Sequence, residues 1–196
     1  NALLRLGRMA EALASFERVI ALAPGLAVAH YNRGTVLEQL GRVHEAMDCY
    51  RTVLRLEPGN VQAQFNLGCL HLKLKAYDEA LACMDSVIAV QPQLAQAHNN
   101  RGTALLKSQR LTQAIASFDQ ALTLQPQYAD ALVNRGAARV QTKEYAQAFA
   151  DLELAISINP NLAEPRNLMG LLLKEAKRYE EAGQQYQAAY RLAPEL

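Results

Sequence analysis

Residues 61–94, VQAQFNLGCLHLKLKAYDEALACMDSVIAVQPQL, hold the pattern on which the rest of this chain is built. Pro92 stands near the end of this segment. Six of the seven prolines are equally spaced along the chain, at Pro24, Pro58, Pro92, Pro126, Pro160 and Pro194. Self-similarity at a fixed period is the sequence signature of a repeat protein. We therefore interpret the chain as copies of one unit, each as long as the segment 61–94.

Small and large residues recur in step with the prolines. A glycine lies at one fixed distance before five of them, at Gly34, Gly68, Gly102, Gly136 and Gly170. An alanine lies at a second, shorter fixed distance before each, at Ala12, Ala46, Ala80, Ala114, Ala148 and Ala182. One helical turn after each alanine comes a large side chain, at Phe16, Tyr50, Met84, Phe118, Leu152 and Tyr186. Helices that cross closely need small residues at the contact, so the pattern predicts that Gly34 faces Ala46.

Each unit holds two apolar stripes at steps of three and four residues, the spacing of an amphipathic helix. Within residues 61–94 the stripes predict helices over Gln62–Leu74 and Asp78–Val90, joined by a turn at residues 75–77. Because proline has no N–H to donate inside a helix, the recurrent proline marks the end of the second helix. The chain is therefore predicted to be all-α and built of tandem helix-turn-helix repeats.

The glycine, alanine, aromatic and proline positions resemble those of the tetratricopeptide repeat family, whose period of about 34 residues equals the interval between the prolines here. The resemblance implies a right-handed superhelical α-solenoid with a continuous core, in which the first helices line a concave groove. It covers 1–196 as a single array, with a partial repeat at 1–26 and five full repeats at 27–60, 61–94, 95–128, 129–162 and 163–196. One departure is the absence of tryptophan. The family's early aromatic is replaced by His30, Gln64, His98, Leu132 and Arg166.

Composition and motifs disfavour several functions. The net charge of +1 disfavours a nucleic-acid partner, and no apolar run approaches the roughly 20 residues of a membrane span. The sequence has no HExxH, GxGxxG, P-loop or GxSxG motif, so we expect no catalytic residue and no enzyme activity within it. Cys49, Cys69 and Cys83 form no CxxC pair, which predicts no metal site and no cofactor. They indicate reduced thiols and a cytoplasmic location.

The face of each first helix opposite its apolar stripe is polar and nearly neutral. In the tetratricopeptide repeat family the first helices line the groove, so the resemblance implies that this face binds a protein or peptide. The predicted binding residues are, repeat by repeat, Tyr31 and Thr35, then Gln62, Phe65 and Lys73, then Gln96, Asn99, Thr103 and Lys107.

Four asparagines at one repeat position flank that face, at Asn32, Asn66, Asn100 and Asn134. A side-chain amide both donates and accepts, so a row of them suits an extended peptide backbone. The row resembles the asparagines in the superhelical repeat region of protein O-linked N-acetylglucosamine transferases and their bacterial relatives. The alternative interpretation is structural, with each asparagine bonded to a neighbouring helix end or turn.

Arginine follows three of these asparagines, at Arg33, Arg101 and Arg135, on the stripe where other repeats have Leu67 and Met169. We expect each aliphatic stem to be packed and each guanidinium to reach the surface. Carboxylate binding is the less favoured interpretation.

The two ends depart from the pattern. In the last repeat Leu168 replaces the asparagine of the row and Leu171 replaces a groove threonine, so this end is unusually apolar. Leu168 and Leu171 would contact a missing downstream segment or mediate end-to-end self-association, and we expect concentration-dependent dimerisation. Asn1 falls partway through a first helix, so the chain is expected to be a fragment of a longer protein.

These observations predict a non-enzymatic scaffold that binds a protein segment in its groove. A second hypothesis makes the chain the substrate-recruiting arm of a larger bacterial glycosyltransferase whose catalytic domain lies outside these residues. A third, RNA binding through a related helical-pair code, is disfavoured by the neutral groove.

Overall fold

The computed structural model describes residues 2–194, with side chains from residue 7 onward. This described part folds into eleven α-helices and contains no strand, which confirms the predicted all-α helical-repeat class. The helices are α1 Ala2–Leu22, α2 Ala27–Gln39, α3 Val43–Leu56, α4 Val61–Lys73, α5 Tyr77–Val90, α6 Ala95–Lys107, α7 Leu111–Leu124, α8 Ala129–Gln141, α9 Tyr145–Ile158, α10 Ala163–Glu175 and α11 Tyr179–Leu192. Within residues 2–194, no helix combines the length and apolar character that crossing a membrane requires.

A residue with left-handed backbone follows the first helix of each full repeat. Its φ is +73° at Gly41 and between +60° and +64° at the equivalent positions Lys75, Gln109, Lys143 and Lys177. After α4, the N–H of Lys75 bonds the carbonyl of Leu72, and the N–H of Ala76 bonds that of His71. This pair of bonds is a Schellman cap, which satisfies the last carbonyls of the helix while the chain reverses.

The predicted helices and turn are observed with a small shift. The helices expected at Gln62–Leu74 and Asp78–Val90 are Val61–Lys73 and Tyr77–Val90, so each begins one residue earlier. Pro92 follows the end of α5 by two residues, where its missing N–H costs no helical hydrogen bond.

The first helix differs from the sequence interpretation. Gly7 occupies the repeat position of Gly41, where the full repeats turn, yet α1 continues through it as one helix of 21 residues. The residues before Gly7 therefore extend the same helix and do not form a separate first helix.

The recurrent glycine lies nearest the large side chain of the second helix. The recurrent alanine is also close in two repeats, with its carbonyl oxygen 3.7 Å from a Cβ built on Gly68 and 3.5 Å from one built on Gly136. A Cβ built on Gly34 would lie 2.9 Å from the Tyr50 ring, and one on Gly102 would lie 2.5 Å from the Phe118 ring. Both rings are fully buried. The glycine leaves space for the aromatic ring that fills the repeat's interior.

The chain divides into two compact units between Pro92 and Gln93. In the first unit, Leu37, Tyr50, Val53 and Leu70 belong to one buried cluster. In the second, buried clusters form around Leu132 and around Leu152. In both units the helices of a repeat pack in pairs, α2 with α3, α4 with α5, α6 with α7, α8 with α9 and α10 with α11. The division of 1–196 into five full repeats of a single array stays a prediction.

Candidate functional site

The asparagine row lies on the first helices, two residues in each unit. Asn32 on α2 and Asn66 on α4 belong to the first unit, and Asn100 on α6 and Asn134 on α8 belong to the second. All four are half-buried. Helical periodicity places them at the same point of each turn, which is why one repeat position recurs on one face.

Asn66 bonds two tyrosines of the preceding repeat. Its Nδ2 donates to Oη of Tyr31 at 3.1 Å and to Oη of Tyr50 at 3.3 Å. The two tyrosine rings pack with their centroids 5.7 Å apart. Burial raises the pKa of Tyr50, so its phenol stays protonated and donates to Glu38 at 3.3 Å. Asn66 thus completes a polar network between α2, α3 and α4.

Asn134 repeats this geometry in the second unit. Its Nδ2 donates to Oδ1 of Asn99 at 3.1 Å and to Oγ1 of Thr103 at 3.4 Å. Asn99 and Tyr31 occupy the same repeat position, so each of these asparagines reaches the same point of the preceding first helix. The amide nitrogens of Asn66 and Asn134 thus bond side chains of the preceding repeat, where the structural interpretation expected a helix end or turn.

The carbonyl oxygens of Asn66 and Asn134 are less occupied than their amide nitrogens. Among residues 7–194, Oδ1 of Asn66, Oδ1 of Asn134 and the side-chain amide of Asn32 form no hydrogen bond. These groups can still accept from a ligand, and Asn32 can also donate.

The other predicted groove residues fall into two groups. Thr35 bonds the backbone carbonyl of Asn32, and Lys73 forms an ion pair with Glu38 at 2.8 Å, so both serve the fold as well as the surface. Phe65 is half-buried. The side chains of Gln62, Gln96 and Lys107 are exposed on the first helices.

Two clefts on the first helices bring some of the predicted residues together. The first cleft, of about 260 Å³, is lined by Val28, Tyr31, Glu57, Asn60 and Gln62 in the first unit. The second cleft, of about 290 Å³, is lined in the second unit by Asn99, Asp130, Val133, Asn134, Leu162, Glu164 and Pro165. The two clefts occupy equivalent positions three repeats apart, since Val28, Tyr31, Asn60 and Gln62 correspond to Asp130, Val133, Leu162 and Glu164.

Asp130 and Glu164 are cleft residues that the sequence analysis missed. A signal for them was present, because their repeat position holds valine or glutamine earlier in the chain and an acid in these two repeats: Val28, Gln62, Gln96, Asp130 and Glu164.

The three arginines correct the expectation of a surface guanidinium. Arg135 bonds Asp151 on α9 and Asp119 on α7, and its side chain is only 18% exposed. Burial alone would lower the pKa of Arg135, but its bonds to Asp151 and Asp119 outweigh this and raise it. Arg33 bonds Cys49 and Glu17 with the same spacing, and Arg101 bonds Ser117. Arg33 and Arg135 connect successive repeats through these carboxylates, and the bond of Arg101 to Ser117 joins the two helices of one repeat.

The proposed association end is corrected in part. Leu168 is half-buried and packs against the core clusters of the second unit. Leu171 is 38% exposed, so it remains the side chain of the two that is available at the surface.

The described residues offer little for catalysis. No group of three or more His, Cys, Asp or Glu side chains within residues 7–194 is arranged to hold a metal ion. Burial raises the pKa of the Cys49 and Cys83 thiols, which makes both poor nucleophiles at neutral pH.

Family models described as tetratricopeptide repeat match residues 1–25, 27–60, 65–129, 99–163 and 163–196. A comparison with curated proteins finds no significant match. Similar solved structures include MamA from Desulfovibrio magneticus RS-1, with 25% identity, 80% of this chain and 89% of that chain covered, and a TM-score of 0.75.

Two other solved structures share the fold. PilF from Pseudomonas aeruginosa is 20% identical over 100% of this chain and 89% of its own, with a TM-score of 0.82. YrrB, described as a TPR protein with an unusual peptide-binding site, is 17% identical over 92% of this chain and 93% of its own, with a TM-score of 0.71. Because the family models together span nearly all of the sequence, this chain belongs to the tetratricopeptide repeat family.

Proposed function

We propose that this chain is a non-enzymatic protein-interaction scaffold, and that each unit binds an extended protein segment in a groove along its first helices. The observation that carries the proposal is the unoccupied carbonyl oxygen of Asn66 and of Asn134. Each is held by its own amide nitrogen in a fixed orientation at the surface. A fixed acceptor suits a backbone N–H, since it loses little side-chain entropy on binding.

This proposal gives the asparagine row both a structural role and a peptide-binding role. The nitrogens of Asn66 and Asn134 bind the neighbouring first helix, and their oxygens remain for the partner. Peptide binding by YrrB, a protein of the same fold, agrees with a protein partner here.

The free energies of hydrogen bonding and of peptide ordering indicate that the asparagines do not bind the partner alone. A hydrogen bond contributes roughly 0.5–1.5 kcal/mol net, while ordering a flexible peptide costs about 1–2 kcal/mol per residue. Backbone capture by a few amides is therefore too weak by itself. The two clefts beside Tyr31 and Val133 supply the additional contacts in this proposal.

The test is an unbiased pull-down with the wild type and with a variant in which Asn32, Asn66, Asn100 and Asn134 are all alanine. We expect the variant to lose the captured partners while keeping its helical circular dichroism. Asn161→Ala, at a position outside the row, is the matched control and should keep them.

A further control separates binding from fold support. Tyr50→Phe removes one of the two hydroxyls that accept from Asn66 and leaves the asparagine carbonyl in place, and Tyr50 is fully buried, so it does not contact the partner. If Tyr50→Phe loses the partners as completely as Asn66→Ala, the asparagine acts through the fold and the backbone-binding role is wrong. Unchanged capture by the four-asparagine variant would exclude the role altogether.

A second candidate rests on the same row. The chain would be the substrate-recruiting arm of a bacterial, cytoplasmic glycosyltransferase that presents protein segments to a catalytic domain. A glycosyltransferase domain in the same polypeptide would support this candidate. We propose no nucleic-acid partner, because the net charge is only +1, and filter binding of RNA at low salt would test that exclusion.

A further inference from the structure

The two equivalent clefts differ in charge. The first cleft has Val28 and Gln62 at the positions where the second cleft has Asp130 and Glu164. The one carboxylate of the first cleft, Glu57, accepts a hydrogen bond from Asn60 at 2.8 Å. The cleft of the first unit therefore has one carboxylate, which is hydrogen-bonded within the chain, and the cleft of the second unit has two that are not.

The two carboxylates of the second cleft have no partner within the described residues. Asp130 and Glu164 stand in the first turns of α8 and α10, both exposed, and neither forms an ion pair or hydrogen bond with any of residues 7–194. Acids are favoured in a first helical turn by the helix dipole. The equivalent helices have Val28, Gln62 and Gln96 and no acid at this position, so the acidic pair is confined to the second unit.

A buried amide lines the same cleft and is independent of the acids. Asn99 is only 6% exposed, and its Oδ1 is taken by Asn134. Its Nδ2 has no acceptor among residues 7–194. This nitrogen can therefore donate to an oxygen that a ligand brings into the cleft.

The remaining wall is apolar. Val133 is 4% exposed, and Leu162 and Pro165 complete the lining. None of the lining residues is cationic. The cleft has a volume of about 290 Å³. Pockets that hold whole small molecules measure roughly 300–1,000 Å³, so this cleft suits a single side chain.

We propose that the second cleft binds the lysine or arginine side chain of a protein segment. The apolar wall contacts the aliphatic stem, Asp130 and Glu164 bind the cationic head, and Nδ2 of Asn99 donates to a backbone carbonyl of the same segment. The inference rests on the proposed function and adds to it the chemistry of the partner. The first cleft, with Val28 and Tyr31, does not share this preference.

The experiment uses a positional-scanning library of acetylated, amidated nonapeptides with the full chain. We expect the wild type to select lysine or arginine at one position. The best such peptide should bind about tenfold more tightly than its norleucine counterpart, the scale of charge-assisted hydrogen bonds. Asp130→Asn with Glu164→Gln should remove that advantage, and lysine at both positions should reverse the preference towards aspartate or glutamate.

A matched control distinguishes the effect of the two cleft carboxylates from the effect of the protein's net charge. Glu153→Gln with Glu175→Gln changes the formal charge equally at exposed positions outside the cleft, and should alter affinity less than twofold. Circular dichroism of each variant checks that the helices are retained, and the charge reversal provides a gain of preference that misfolding would not produce.

The outcomes distinguish the two proposals. If the library binds without a basic preference, or if that preference survives the neutral variant, the acidic-cleft inference is wrong and the scaffold function stands. If no peptide binds the wild type, the proposed function fails and this inference fails with it.

Discussion

Arg135 and Asp151 form a bidentate ion pair between α8 and α9, with Nε 2.9 Å from Oδ2 and Nη2 2.6 Å from Oδ1. Arg139 adds a third bond to Asp151 at 2.7 Å, and only 6% of the Asp151 side chain is exposed. Equivalent repeats satisfy their arginine differently, since Arg33 bonds Cys49 and Arg101 bonds Ser117 in place of the aspartate. The cluster is a local solution to placing arginine within a repeat interior.

Asp151→Asn should destabilise the second unit strongly. Removing one partner of a buried ion pair leaves an uncompensated charge and costs roughly 3–5 kcal/mol. Asp119→Asn breaks the other contact of Arg135, but that carboxylate is 46% exposed, so a loss of about 0–1 kcal/mol is expected. Urea unfolding of both variants checks the contrast. Equal losses would mean that Asp151 is not a distinct structural centre.

Gly102→Leu should overpack the contact between α6 and α7. A Cβ at Gly102 already meets the Phe118 ring at 2.5 Å, so the larger side chain displaces that ring at a cost of roughly 1–3 kcal/mol. Gly183→Ala is the control, since nothing lies within 4 Å of its Cβ and alanine is favoured in helices by about 1 kcal/mol. Thermal melts should move in opposite directions. An unchanged melt for Gly102→Leu would contradict the close packing.

His71 should make the first unit sensitive to acid. Burial lowers the pKa of His71, as does the charge of Arg51, while Glu79 opposes them. The folded protein then binds fewer protons than the unfolded chain, whose histidine has a pKa of about 6.5. Stability is therefore complete above that value and is lost as the pH falls below it towards the folded pKa.

The matching substitution is His71→Leu, since Leu37, Leu105 and Leu173 occupy the same repeat position. Urea unfolding at pH 5.5 and 7.5 should show a smaller acid loss for this variant than for the wild type. His44→Gln, at an exposed position, should leave the loss unchanged. A His71→Leu variant with the full acid loss would assign it to other groups.

Leu171 should support self-association at high concentration. It is 38% exposed on α10, whereas Leu168 is packed inside. Light scattering over a concentration series should show a rising mass for the wild type and a monomer for Leu171→Glu. Leu154→Glu on α9, which is 46% exposed, is the control and should associate like the wild type. A monomeric wild type at every concentration would contradict the prediction.

The candidate site was predictable only in part. The fixed repeat period identified Asn66 and Asn134 as members of one row, because equivalent positions in successive repeats lie on the same face of their helices. Which amide atom remains available depends on contacts with Tyr31 and Asn99, each in the preceding repeat. Contacts between different repeats leave no pattern in the neighbouring sequence. The sequence therefore left both the structural and the binding interpretation of the asparagines open.

The arginines also show that sequence alone does not identify side-chain partners. A charged residue on an apolar stripe suggested a surface guanidinium for Arg135, because long side chains commonly reach water. Its partners Asp119 and Asp151 lie on two different second helices. Only packing of successive repeats brings them to one point.

The amino-acid sequence by itself determined the repeat period, the helix pairs and the family, because local periodicity and recurrent glycine and proline positions fix the helices and turns. Only the tertiary structure decided which polar groups keep hydrogen-bonding capacity for a ligand, among them Nδ2 of Asn99 beside Asp130 and Glu164. Hydrogen-bond satisfaction depends on distances between side chains of different repeats, and those distances are set by packing.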